Sequence, residues 1–80
     1  MEKEHIFLIG REKGPITRLD ELAISNTASD YLAEFNTDMT TVDGIGRVQV
    51  KARKSEEEDY VYFENAISDL GYKIERSEKE

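Results

Sequence analysis

The dipeptide Asp43-Gly44 constrains this chain more than any other feature. Asp-Gly is a preferred two-residue hairpin turn, because both central positions need a left-handed backbone. Strand-forming residues flank it, Thr40-Thr41-Val42 before and Arg47-Val48-Gln49-Val50 after. Closing the turn pairs Val42 with Ile45, which sets Met39 opposite Val48 and Thr41 opposite Gly46. Those two pairs, with Val50 and Ala52, make a mostly apolar face. Asp38, Thr40, Arg47, Gln49, Lys51 and Arg53 take the other face. A slip of one residue would exchange the faces, so the pattern itself selects the register.

The rest of the chain supplies the elements such a hairpin needs to become a sheet with a cover. Ile6 to Ile9 is a continuous apolar run closed by Gly10, as expected of a central strand covered on both faces. Gly14 and Pro15 end it in a loop. Ile16, Leu19, Ala23, Ala28, Tyr31, Leu32 and Phe35 recur at helical steps, with Thr17 placed as an N-cap and Asp20 and Glu21 at the positive end of the dipole. Ser25-Asn26-Thr27 are weak helix formers. The segment 17–36 therefore reads either as one kinked helix or as a turn followed by a second helix, with Asn36 as terminator. A further helix is punctuated throughout. Ser55 and Glu58 have capping-box spacing, Tyr60, Phe63, Ile67 and Leu70 form an apolar stripe, and Gly71 stands where a helix C-terminus needs a left-handed residue. Tyr72 and Ile74 then alternate with Lys73 and Glu75 as a last strand.

Strand, helix, hairpin, helix, strand is the order of a ferredoxin-like βαββαβ two-layer α+β sandwich, with the first and third strands central. An alternative pairs residues near Tyr31 to Asn36 as an additional strand and leaves a three- or four-stranded antiparallel sheet with one main helix. Residues 1–80 read as a single small domain, with 1–4 and 76–80 as disordered tails.

A core of eighty residues is small, with a net stability of about 3 to 5 kcal/mol, so function is expected on a surface and not in a deep cavity. The absence of cysteine excludes disulfides, thiolate metal sites and cysteine nucleophiles. The charged start and the four-residue apolar run are too short for a signal peptide or a membrane span, and a cytoplasmic location is expected. His5 is the sole histidine and reads as a solvated side chain. It has no second histidine with which to build a triad or a metal site. The carboxylates from Glu56 to Asp59 are explained by helix capping. Gly10 to Thr17 lies between strand and helix, yet lacks the lysine–hydroxyl ending of a phosphate loop, and Pro15 removes an N–H donor. No enzymatic activity, catalytic residue, metal or cofactor is expected, and a small enzyme or accessory subunit is the alternative reading. The ending Asn65-Ala66-Ile67-Ser68-Asp69-Leu70-Gly71-Tyr72-Lys73-Ile74 resembles the last helix–strand junction of heavy-metal-associated copper-chaperone domains. Those domains bind metal through two cysteines in the first loop, which this chain lacks, so neither metal nor function is carried over.

Charge arrangement is the remaining signal. The formal net charge is −7. The expected helical layer holds Asp20, Glu21, Asp30, Glu34, Glu56 to Asp59, Glu64 and Asp69 against Arg18. The outward hairpin face holds Arg47, Lys51 and Arg53. An acidic helical surface including Asp30, Glu34, Glu57 and Glu64 is expected to meet a basic protein partner, as a small adaptor or inhibitor would. The competing reading places single-stranded nucleic acid, or another anionic ligand, on the sheet face, with Phe7 as a stacking ring beside Arg47, Lys51 and Arg53. The negative charge disfavours nucleic acid, and no membrane association is expected. A homodimer through an apolar-centred sheet face is a further possibility.

Overall fold

The computed structural model describes residues 3–79. It contains β1 (Glu4–Arg11), α1 (Arg18–Tyr31), β2 (Glu34–Val42), β3 (Ile45–Arg53), α2 (Glu57–Asp69) and β4 (Tyr72–Lys79). The four strands form one antiparallel sheet in the order β2-β3-β1-β4, a ferredoxin-like α+β sandwich. Each strand–helix–strand unit skips one strand, so β1 and β3 are central. The hairpin register follows the turn: Val42 pairs with Ile45, Thr41 with Gly46 and Met39 with Val48. Asp43 and Gly44 both have positive φ, at 53° and 77°, as a type I′ turn requires.

Antiparallel pairing fixes which side chains of β1 face the helices. Phe7 pairs with Val50 and Ile9 with Val48, and all four lie fully buried on the helix side. Ile24 and Ala28 of α1 and Tyr60, Phe63 and Ile67 of α2 close the same core. Phe63 meets Phe7 edge-on with ring centroids 5.0 Å apart, a geometry worth about 0.5–1.5 kcal/mol beyond area burial. Ile6 and Leu8 face the other way and are only partly covered, so β1 is central in the sheet but is not enclosed on both faces.

Several expectations are corrected. Helix α1 runs unbroken through Ser25-Asn26-Thr27. Thr27 Oγ1 donates to the Ala23 carbonyl at 2.9 Å, and buried Ile24 and Ala28 anchor the segment on either side. The helix stops at Tyr31, and Glu34 to Asn36 belong to β2. Phe35 continues the apolar spacing of α1 by coincidence, since it also starts the alternation Phe35, Thr37, Met39 opposite Ala52, Val50 and Val48. The buried face of α1 is turned relative to the expected one. Leu19 is 77% exposed, whereas Asp20 is 4% exposed. Leu70 likewise leaves the stripe of α2 and is exposed. In α2 the N-cap is Glu56, one residue later than expected, and its backbone N–H donates to Asp59 at 3.1 Å. Ser55 is instead committed to the α1–β2 link, its hydroxyl accepting from the Ala33 N–H at 2.8 Å. Gly71 ends α2 with φ 96°, as expected. Glu4 and residues 76–79 are strand and not tail, while residues 1, 2 and 80 of the expected tails lie outside the described residues.

Candidate functional site

Three features stand apart from the apolar core: a buried carboxylate, a charged strap under α2, and two unlike outer surfaces.

The carboxylate is Asp20. Thr17 and Asp20 form a capping box at the start of α1, so the backbone that starts the helix also aims this side chain at the sheet. Five donors converge on it. Oδ1 accepts from Tyr72 OH at 2.6 Å and Arg11 Nη2 at 2.7 Å. Oδ2 accepts from the Thr17 N–H at 2.7 Å, Thr17 Oγ1 at 2.9 Å and Arg11 Nε at 3.0 Å. The Arg11 guanidinium holds the Asp20 carboxyl far below the usual carboxylate range, outweighing the upward push of burial. Tyr72 is pushed up, first by burial and then by its bond to Asp20. With its lone pairs engaged by Arg11, Thr17 and Tyr72, Asp20 is a joint between β1, α1 and β4.

Arg76 is the strap. It projects from β4 under α2, donates to Glu57, to Glu64 at 3.0 Å and to Glu78 at 3.3 Å, and lies 5.5 Å from the Tyr60 ring centroid. Its own pKa is raised, chiefly by Glu57, and those of Glu57 and Glu78 are lowered, chiefly by Arg76. Beside it His5 is buried and not solvated as expected. Its ring stacks on Tyr60 at 4.0 Å, and its Nδ1 has no hydrogen-bond partner, Glu78 Oε1 being 3.7 Å away.

The expected acidic surface is therefore reduced and redrawn. Glu57 and Glu64 are engaged by Arg76. Glu34 is not helical at all, since it lies on β2 and pairs with Lys54 at 3.2 Å. Asp30 remains exposed on α1. Added to the expected residues are exposed apolar ones that helical periodicity assigned to the core or left unassigned: Leu19 and Leu22 on α1, Val61 and Tyr62 on α2. Val61 and Tyr62, 42% and 54% exposed, line a shallow depression of about 200 Å³ with Glu57 and Glu58. No basic residue occurs in α2.

The sheet face is mixed and not simply basic. Phe7 is absent from it: the ring is buried under α2, and the stacking platform is lost. Arg53 is tied to Glu4 at 3.0 Å. Alternation along the strands puts Glu4, Glu34, Asp38 and Glu75 on the same face as Arg47, Lys51 and Lys73. A depression of about 350 Å³ lies at its hairpin end, with Gly10 and Leu8 as floor and Arg47 and Lys73 as walls.

Among the described residues no group of three or more histidine, aspartate and glutamate side chains is placed to hold a metal, and no helix is long and apolar enough to cross a membrane. The chain matches no known family model and no curated protein. It is similar to a solved structure described as "De novo designed protein Foldit4", at 17% identity and a TM-score of 0.66, over 100% of this chain and 98% of that one. At that identity the likeness shows the ferredoxin-like fold alone.

Proposed function

We propose that this is a non-enzymatic binding protein of the cytoplasm that docks its helical layer on a protein surface carrying basic side chains around an apolar centre. The observation that carries this reading is Val61 and Tyr62, both exposed on a helix with no basic residue and bordered by Glu57 and Glu58. Aromatic and aliphatic side chains supply contact energy at interfaces. The surrounding carboxylates select a basic partner and speed its approach. Arg76 contributes by anchoring Glu57, which keeps one wall of the depression in place.

The test is affinity capture from the source cells at low and high salt, comparing the wild-type chain with a Val61→Asp, Tyr62→Ser double variant. Both positions are exposed, so stability should change by no more than about 0.5 kcal/mol per site. The expected result is a basic protein retained at low salt by the wild type, released by salt, and not retained by the folded variant. Equal retention by both, or retention of nucleic acid in place of protein, would overturn the proposal.

A further inference from the structure

The depression at the hairpin end of the open sheet face has the composition of a ligand site. Three strands build it in one cross-strand row. Gly10 of β1 pairs with Lys73 of β4, and the register that sets Ile9 against Val48 sets Gly10 beside Arg47 of β3. Adjacent strands are about 4.8 Å apart, so the two cations arise from backbones about 10 Å apart with a glycine between them.

Gly10 is required by Arg47. A Cβ at position 10 would lie 2.5 Å from Arg47 Cδ and 2.7 Å from Nε, so the arginine lies flat across β1 only because that side chain is missing. Arg47 also differs from the other arginines. Arg11, Arg18, Arg53 and Arg76 each meet a carboxylate. Among the described residues Arg47 meets none, and its Nη1 donates to the neighbouring Gly46 carbonyl at 3.3 Å. A guanidinium held flat with most of its donors unspent is arranged to bind a carboxylate through two parallel bonds. The rest of the lining is Leu8 and the acceptor Glu75 on one side, Val42 and Asp43 on the hairpin side, and Arg11, whose guanidinium is committed to Asp20.

We propose that this depression binds a small organic monocarboxylate. The carboxylate lies over Gly10 between Arg47 and Lys73, a flat apolar body covers Leu8, and a hydroxyl or amine donates to Glu75, the cross-strand neighbour of Leu8. Nearby Glu75 and Asp43 oppose dianions and polyanions. For the same reason a nucleic-acid strand is disfavoured, since it would also meet Asp38, Glu34 and Glu4 along the face.

Amide chemical-shift titrations test it, with benzoate, 4-hydroxybenzoate and 4-aminobenzoate as probes and inorganic phosphate and an octathymidylate as controls. The expected result is saturable shifts confined to Leu8, Gly10, Arg47, Lys73 and Glu75, with Kd about 1 mM for at least one donor-bearing benzoate and weaker binding by benzoate itself. Arg47→Gln and Gly10→Ala should each weaken binding about tenfold, while Lys51→Gln leaves it unchanged. Gly10→Ala separates the site from the fold, because alanine suits a strand at least as well as glycine and should leave thermal unfolding unchanged or raised. Three results would overturn the proposal: no saturation by about 20 mM for any benzoate, shifts that persist in Arg47→Gln, or tighter binding of phosphate or the oligonucleotide than of every benzoate.

Discussion

Replacing Asp20 by asparagine tests the reading of the buried carboxylate as a structural joint. Two oxygens now serve five donors. Asparagine offers one oxygen and turns an NH2 group toward donors, so a partner must be left unpaired whichever way the amide points. Hydrogen bonds to a charged group are each worth about 1.5–3 kcal/mol net, but they do not add. Arg11 is half exposed and can return to water, and the Thr17 hydroxyl can rotate. The loss that remains falls on the Tyr72 hydroxyl and the Thr17 N–H, giving about 2–3 kcal/mol in total. That is a large share of the stability expected of a domain this size, and it corresponds to a fall in Tm of about 10–20 °C. Tyr72→Phe removes one donor and should lose about 1–1.5 kcal/mol, with a coupling to Asp20 of about 1 kcal/mol in a double-mutant cycle. Urea unfolding followed by circular dichroism at pH 7 measures all four proteins. An Asp20→Asn variant within 0.5 kcal/mol of wild type would refute the reasoning, because it would mean the five bonds contribute no more than water does.

The remaining predictions concern pH, the orphan histidine, the left-handed lysine and the core ring. Asp20, Glu57 and Glu78 have folded pKa values lowered by Arg11 or Arg76. Their contribution is fully present above the unfolded carboxylate range, near pH 4, and is lost as pH falls below it. Stability measured from pH 7 to pH 3 should therefore decline, and less steeply in Asp20→Asn. His5→Phe keeps the stack on Tyr60 and removes an unpaired buried nitrogen. It should raise stability at pH 7 by about 1 kcal/mol in urea unfolding. Lys54 has φ 63°, so Lys54→Gly should cost little or gain up to about 1 kcal/mol despite losing the pair with Glu34. Phe7→Glu, which an exposed sheet-face ring would tolerate, should instead leave the chain unfolded by near-ultraviolet circular dichroism, because Phe7 is fully buried.

The parts of the fold legible in the sequence are those whose signal is local or whose alternation is strict. Asp43-Gly44 sets a turn, Val48, Val50 and Ala52 set a face, and Gly71 ends a helix without help from distant residues. The parts that were not legible depend on partners remote in the chain. Ile6 to Ile9 has no alternation, so which of its residues face the helices is decided only when β1 pairs with β3. Leu19 and Asp20 exchange their expected places because Arg11 and Tyr72, 9 and 52 residues away, pull the carboxylate inward. The spacing Thr17-x-x-Asp20 did carry a capping-box signal that could have placed Asp20 correctly. His5 is buried by Tyr60, and Glu57 and Glu64 are engaged by Arg76, which no local pattern announces. Of the sheet-face residues, Arg47, Lys51 and Arg53 were placed correctly by alternation alone, and Phe7 was misplaced by the same missing parity.

Docking through the outer face of α2 is the central claim, and site-specific photo-cross-linking tests it most directly. A photoreactive side chain at position 62 is compared with one at position 49 on the sheet, each in the source cells. The prediction is one defined protein adduct from position 62, lost when Val61→Asp is added, and none from position 49. An adduct from position 49 with none from position 62 would contradict it and move the binding surface to the sheet.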